Sequence, residues 1–332
     1  MQQPLVSIII VNYDGKELLR NCFNSLSKII YSNIEVILVD NNSTDDSVKF
    51  TQENFPKTII VKLDNNKGFA EPNNIAAKIA KGKYLLFLNN DTIVTENFVT
   101  EMINVIEKNE KIAICQSLLL KPNGHVDSSG DFIDKLGIVY NSKSKISIVR
   151  EISSARGASM LMRKKVFNEL DGFDEKFFVS FEDVDLGWRS WILGYSAVLV
   201  PTSIVYHIGG STIKKIKSDI AFHGFKNQLS MKITNFELNY MLSNLFKFFV
   251  IYGIRELKIW WDYKKNGSTQ MTPTDYETKI ANKPNFKIIF KSIIWILKNP
   301  IYLINKYKKI NSNRKLSTQK LIEMNLITNK KQ

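Results

Sequence analysis

The sequence predicts an α/β fold: an open doubly wound sheet flanked by helices, followed by a C-terminal amphipathic helical extension. Three observations lead there. The first ~120 residues contain four continuous apolar runs of strand length, helical stretches separate these runs, and from about residue 236 lysines are interspersed among large apolar side chains.

The runs are VSIIIVN (6–12), IEVILVD (34–40), TIIVKLD (58–64) and KYLLFLNND (83–91). Unbroken apolar character over this length marks strands covered on both faces, as in parallel sheets. Between them lie GKELLRNCFNSLSKI, TDDSVKFTQENF with Thr44 or Asp45 as N-cap, and AEPNNIAAKIAKG, each able to present an apolar helical face. The repeated strand–helix–strand order implies a doubly wound sheet. Beyond ~120, KPNGHVDSSG reads as a loop, residues 131–150 as short strand-like pieces, and ASMLMRKKVFNELDGF as a strand and a helix ending at Gly172. A helix is expected over Trp188 to Leu193. The uncharged window Ser190 to Ile213 has the length of a membrane span, but Gly194, Pro201, Thr202, Ser203, His207, Gly209 and Gly210 make it read as turn, short strand and loop.

With 332 residues and 44% apolar composition, the chain can bury a sizeable core. Cys22 and Cys115 lie in apolar segments without metal-ligand spacing, so buried thiols in a reducing compartment are expected. The start, MQQPLVSIII, enters a strand-like run without a basic region and does not resemble a signal peptide. The net charge of +14 is uneven: residues 1–210 carry 23 Lys+Arg against 25 Asp+Glu, and residues 211–332 carry 23 against 7. The basic character belongs to the tail.

Ligands of doubly wound sheets sit at the carboxyl ends of the strands. Here those ends read Asn12-Tyr13-Asp14, Asp40-Asn41-Asn42, Asp64-Asn65-Asn66 and Asn89-Asn90-Asp91. One such end is an ordinary turn; four in succession favour a polar ligand cleft. FEDVDLGWR (181–189) then gathers Glu182, Asp183 and Asp185 at a helix start, where the macrodipole stabilises negative charge. Asp185 and Arg189 are spaced as an i,i+4 structural pair. Trp188 and Trp191 suit either the core or a platform for a sugar ring.

The ordered segments SIIIVNYDG, EVILVDNNSTDDS, NNKGFAEPNNIAAKIAKGKYLLFLNNDT, GASMLMRKKVFNELDGFDEKFFVSFEDVDLGWR and YHIGGST resemble glycosyltransferase family 2, particularly its rhamnosyltransferase-like bacterial members. The resemblance covers ~5 to ~212 and implies a GT-A type mixed sheet, a nucleoside-diphosphate sugar donor, a divalent cation (Mg²⁺ or Mn²⁺) and inversion at the anomeric carbon. It implies that Asp40 accepts a hydrogen bond from the donor pyrimidine beside Val11, Asn12 and Tyr13. Asn66, Gly68, Asn74, Asn89 and Asn90 fall on the nucleotide-sugar side, with Arg156 near the donor phosphate or sugar. Asp91 and His207 are the implied metal ligands, and Asn89 stands where the family usually has an acid. Asp183 is the implied base. Glu182 is expected to raise the Asp183 pKa by like-charge repulsion and to grip an acceptor hydroxyl.

The expected organisation is a nucleotide-sugar-binding half (1–120), an acceptor-binding and catalytic half (121–235) and a basic extension (236–332). In the extension, Lys287, Lys291 and Lys298 share one helical face amid Ile, Phe, Trp and Leu, as in helices lying on an anionic bilayer surface. This leads to an expected peripheral location on the inner face of the cytoplasmic membrane. Packing on the catalytic domain or a homo-oligomer interface is the alternative use of these helices. Nucleic acid is not an expected partner, because the aromatics cluster with aliphatic residues. The resulting expectation is transfer of a sugar, with dTDP-rhamnose the first choice of donor, to a glycan or lipid-linked acceptor in bacterial cell-surface polysaccharide synthesis. A non-catalytic membrane-associated assembly protein and a nucleotidyltransferase are the competing readings.

Overall fold

A computed structural model describes residues 3–209, 217–266 and 286–328. The chain begins β1 (Val6–Asn12), α1 (Lys16–Leu26), β2 (Ile34–Asp40), α2 (Ser47–Asn54), β3 (Ile59–Lys62), α3 (Ala70–Ile79) and β4 (Tyr84–Leu88). It continues through β5 (Thr92–Val94), α4 (Phe98–Ile106), β6 (Ile112–Leu120), β7 (Val126–Ser128), β8 (Asp131–Asp134), β9 (Val139–Asn141) and β10 (Arg150–Glu151). Then follow β11 (Ser159–Arg163), α5 (Lys164–Glu169), α6 (Glu182–Ile192) and β12 (Ser196–His207). The remainder is α7 (Lys217–Asn235), α8 (Leu238–Asn266), α9 (Phe286–Lys298), α10 (Pro300–Ser312), α11 (Thr318–Glu323) and β13 (Ile327–Thr328).

Two compact units result, Met1–Asp131 with Ser142–Lys215, and Phe132–Asn141 with Ile216–Gln332. The boundary expected at 120 instead falls at the end of β6, inside a sheet of ten strands. The sheet crosses that boundary because β6 pairs with both β11 and β12.

In the first unit the strand order is β10-β12-β6-β11-β4-β1-β2-β3, with β5 on β12 and β7 on β6. The four apolar runs are all parallel, as expected. β11 lies antiparallel between β4 and β6 and makes the sheet mixed. Ile8, Ile9 and Ile10 of β1 are fully buried, and each such side chain contributes about 1.5–3 kcal/mol relative to exposure. β3 is an edge strand and only half covered, unlike the other three runs. Register aligns Asn12 with Asp40, which places the polar strand ends side by side.

Three local expectations are corrected. KPNGHVDSSG is the turn and return strand of a hairpin, since β7 pairs antiparallel with β6. The uncharged window is largely the twelve-residue strand β12, whose pairing with β6 shifts between Val200 and Ile204, where Pro201 cannot donate to the ladder. Residues 210–213 of that window lie outside the described residues. The N-cap of α2 is Asp46, while the preceding Asp45 carboxylate accepts the Ser47 N–H at 3.0 Å. Both cysteines are buried thiols, as expected; burial pushes Cys22 up to about 12 and raises Cys115 as well.

In the second unit α7 packs against α8, α9 and α10. The Phe248 ring lies 5.7 Å from Phe225 and 4.3 Å from Tyr252. β13 pairs with β8. The fully buried Lys232 of α7 donates to the carbonyls of Leu136 and Gly137 at 2.7 and 2.6 Å, tying the β8–β9 turn to the helix. No helix among the described residues is long and apolar enough by itself to cross a membrane; α9 and α10 pass that test only as a pair bent by 75°.

Candidate active site

Asparagine and aspartate side chains organise the strand ends. Asn90 donates to Asn12 at 2.7 Å, and Asn12 donates to Ser43 at 3.2 Å. A Cβ on Gly15 would lie 2.5 Å from the amide atoms of both asparagines, so any larger residue there has to displace this pair. Asp40 accepts the Ser43 N–H at 3.2 Å through Oδ2, while its buried Oδ1 has no hydrogen-bond partner. An orphaned buried carboxylate oxygen is costly, and it is an acceptor ready for a ligand N–H. Val11 and Tyr13 flank this end of β1, both half-buried.

Asn41 carries the next link. Its Nδ2 donates to Asn66 Oδ1 at 2.9 Å and to Gly68 O at 2.8 Å, and its Oδ1 accepts the Lys67 N–H at 2.8 Å. Gly68 adopts φ +79, and a Cβ would sit 2.2 Å from the Phe178 carbonyl. The segment it touches is itself strained: Phe178, Ser180 and Phe181 have φ of 59, 73 and 69. Left-handed backbone at non-glycine residues costs energy that the surrounding contacts must hold, and it clusters at functional sites. Immediately afterwards α6 begins.

Asp183, in the first turn of α6, is fixed by two backbone donors: Gly157 N–H to Oδ2 at 2.9 Å and Val184 N–H to Oδ1 at 2.8 Å. Gly157 precedes Ala158, whose carbonyl accepts the Asn89 N–H at 3.1 Å. Backbone contacts thus connect Asp183 to the turn carrying Asp91. Burial and the charge of Asp131 raise the Asp183 carboxyl to about 6, against the lowering pull of Gly157, Arg156 and Val184. Asp131 is fully buried and accepts from Arg156 Nε at 3.2 Å, while Gln116 Oε1 accepts the Arg156 N–H at 2.8 Å.

Glu182 behaves differently from its neighbour. It is buried, its Oε2 lacks a hydrogen-bond partner, and burial, Asp183 and Asp185 push its pKa well above the usual range. The expectation that Glu182 raises Asp183 is therefore corrected. Burial, Asp183 and Asp185 oppose ionisation of Glu182, and the causes that raise Asp183 are its own burial and the charge of Asp131.

On the other side of the turn, His207 Nε2 lies 3.4 Å from Asp91 Oδ1, and its Nδ1 lies 2.9 Å from Asp127 Oδ2. Burial alone would lower the imidazole, but the hydrogen bonds and charges of Asp127 and Asp91 outweigh it and raise His207 to about 9. Two carboxylates converging on one ring make a place that demands positive charge. This donor set fits a divalent cation: Asp91 gives a hard oxygen, His207 a nitrogen, and Asp127 fixes the imidazole from behind. Among the described residues no cluster of three or more His, Cys, Asp or Glu side chains forms a metal cage.

The sequence profile of Glycosyl transferase family 2 matches residues 7–171. Over 236 residues the chain is 30% identical to glycosyltransferase GlyG of Streptococcus pneumoniae, an alignment covering 66% of this chain and 75% of that protein. The chain belongs to glycosyltransferase family 2. It is also 34% identical over 225 residues to the O-antigen biosynthesis protein RfbC of Myxococcus xanthus, covering 63% of this chain and only 18% of that protein. An N-acetylglucosaminyl-diphospho-decaprenol L-rhamnosyltransferase of Mycobacterium tuberculosis is 22% identical over 249 residues, covering 66% of this chain and 81% of that protein. The crystal structure of GalNAc-T7 with UDP, GalNAc and Mn²⁺ superposes with a TM-score of 0.56 at 16% identity, covering 89% of this chain and 57% of that one. The fold is GT-A.

Within this family 2 fold, Asn74 and the two tryptophans are held by structural contacts. Asn74 donates to Phe173 O at 2.8 Å and accepts from Phe173 N at 2.9 Å, so its amide braces the loop before α6. Trp188 and Trp191 are both buried, and Trp191 Nε1 donates to Ile152 O at 3.0 Å; neither is a sugar platform. Asp185 and Arg189 form the expected pair at 2.7 Å, with Arg189 also capping the carbonyls of Leu170 and Gly172 at 2.6 and 2.9 Å. Asn41, Asp127 and Asp131 were not singled out by the sequence. Asn41 sits in a strand end that was recognised, whereas the two aspartates follow β6, where the apolar pattern breaks down.

Proposed function

We propose that this chain is an inverting glycosyltransferase using a nucleoside-diphosphate sugar, with Asp183 as base. The observation that carries this is the fixed Asp183 carboxylate, held by the Gly157 and Val184 N–H groups and raised to about 6. A base of that strength is largely ionised at neutral pH yet basic enough to accept a proton in the transition state.

The acceptor hydroxyl gives its proton to Asp183 as its oxygen forms a bond to the anomeric carbon. The bond from that carbon to the diphosphate oxygen breaks on the opposite face, and its electron pair leaves with the diphosphate. One new glycosidic bond replaces one phosphoester bond, with inversion. Asp40 Oδ1 accepts from the pyrimidine, the Asn12–Asn90 and Asn41–Asn66 pairs shape the nucleotide side, and Arg156 stands beside the base. Asp91 and His207 would hold a divalent cation, which when bound supplies positive charge for the departing diphosphate. Imidazole together with carboxylate suits Mn²⁺ better than Mg²⁺.

The names of RfbC and of the mycobacterial relative support an acceptor in bacterial surface-polysaccharide synthesis, glycan or lipid-linked, and dTDP-rhamnose as the first donor to test. Calorimetric titration with a panel of nucleoside-diphosphate sugars, with and without Mn²⁺ or Mg²⁺, tests the reading. Cation-dependent binding of one pyrimidine donor supports it. A folded sample that binds none of them under any cation turns the reading towards a non-catalytic assembly protein, with Asn89 as the mark of lost activity.

A further inference from the structure

α8 is apolar on two opposite faces. One is buried: Phe248 and Ile259 are inaccessible, Glu256 turns inward with them, and Phe248 stacks with residues of its own unit. On the other face Leu242, Phe246, Val250, Ile254, Leu257 and Trp261 are all exposed, Phe246 by 73% and Trp261 by 65%. Their spacings of four, four, four, three and four residues draw one continuous stripe along the helix. Exposed apolar residues scattered singly need no explanation, but a contiguous stripe of this kind marks an interaction surface.

The charges follow the same geometry. Lys247, Lys258 and Lys265, eleven and seven residues apart, are exposed and form a row along one edge of the stripe. α9 repeats the design: Phe286, Phe290 and Leu297 are exposed at spacings of four and seven, and Lys287, Lys291 and Lys298 follow each of them by one residue. A long lysine side chain beside an apolar stripe can lay its methylenes on the apolar surface while its ammonium reaches outward.

We propose that the α8 and α9 stripes seat in the headgroup region of an anionic bilayer, with the two lysine rows contacting lipid phosphates. Charge complementarity selects this occupant. Residues 211–332 hold 23 Lys+Arg against 7 Asp+Glu, so a second copy of the same face would bring like charges together, whereas an anionic lipid surface is attracted by each lysine. The helices lie on the surface, since neither α8 nor α9 is a span by itself. The inference does not depend on the transferase reading.

The test uses the full chain and sedimentation with vesicles of phosphatidylcholine, alone or mixed with phosphatidylglycerol, together with tryptophan emission. The chain is expected to pellet with the mixed vesicles, with a blue shift that Trp261→Phe largely removes. Phe246→Ser combined with Leu257→Ser should abolish binding. Lys247→Glu, Lys258→Glu and Lys265→Glu together should weaken it by about a hundredfold or more, at ~1 kcal/mol per lysine. All these positions are exposed, and circular-dichroism melting checks that each variant is folded. The proposal is overturned if the chain stays in the supernatant with mixed vesicles, or if the variants bind as well as the parent. It is also overturned if the substitutions alter only self-association in sedimentation velocity, which would make the stripe a contact between copies.

Discussion

The Gly157 amide donates to Asp183 Oδ2 at 2.9 Å, and this bond aims the carboxylate while its burial raises its basicity. Asp183→Asn keeps an acceptor for Gly157 but removes the base, so turnover should be lost with donor affinity nearly unchanged. Stability should move the other way. A carboxyl whose folded pKa is about 6 is fully accommodated below the ordinary aspartate value near 4 and costs stability as pH rises through that interval. Asp183→Asn removes this cost but turns its Nδ2 towards the Val184 N–H that Oδ1 accepts in the parent, so its effect is read as a difference: relative to the parent, the variant should gain on the order of 1–2 kcal/mol between pH ~4 and pH ~6. Thermal melting at the two pH values, set beside a donor-binding isotherm, checks both halves.

Asp131 and Arg156 set the strength of that base. Asp131 is buried against Arg156 at 3.2 Å, and its charge opposes ionisation of Asp183. Asp131→Asn removes the opposing charge and leaves the Arg156 charge uncompensated beside Asp183. Both changes favour the ionised form. The acidic limb of the pH–rate profile should therefore shift down, by a few tenths to about one unit. A purely structural role for Asp131 would lower the rate without moving the limb.

For the cation, Asp127 is the informative position because it does not face the ligand. It holds His207 Nδ1 at 2.9 Å while Nε2 faces Asp91. Loss of such an orienting carboxylate typically weakens metal affinity 10- to 100-fold. Asp127→Asn should accordingly raise the Mn²⁺ concentration needed for nucleoside-diphosphate binding, measured by calorimetry, and excess metal should restore binding. Chelation of the parent protein should have the same effect as Asp91→Asn.

How much of this was legible in the sequence varies from element to element for physical reasons. β1, β2 and β4 bury both faces, so their apolar runs were unbroken and their Asn/Asp ends stood out; Asp40, Asn12 and Asn90 meet where expected. β12 was obscured because Pro201 and two neighbouring hydroxyl residues interrupt a strand that tolerates a bulge there. Asp127 lies in a three-residue return strand and Asp131 at a bridge to the distant Ser154, both too short for a local period to announce them. Trp188 and Trp191 were ambiguous because a helix buried nearly all round has no polar face to show which side meets the core. For α8 the apolar character was legible but not which side is free: both of its faces are apolar, and only packing distinguishes the covered one.

Glu182 and Asp183 are adjacent acids in different surroundings, and a pair of substitutions can read their roles. Glu182 is buried, with Oε2 lacking a hydrogen-bond partner and its pKa driven well above the usual carboxylate range by burial and by Asp183 and Asp185. Glutamine keeps the shape of the side chain without the charge that burial and the neighbouring acids oppose, so Glu182→Gln should retain folding and most of the turnover. Were Glu182 the base, the substitution would abolish turnover while Asp183→Asn was tolerated, which is the reverse pattern. Glu182→Ala separates charge from volume: it removes buried side-chain atoms and should cost about 2 kcal/mol or more of stability. Urea unfolding of the three variants, followed by turnover with the donor identified by calorimetry, decides which carboxylate receives the acceptor proton.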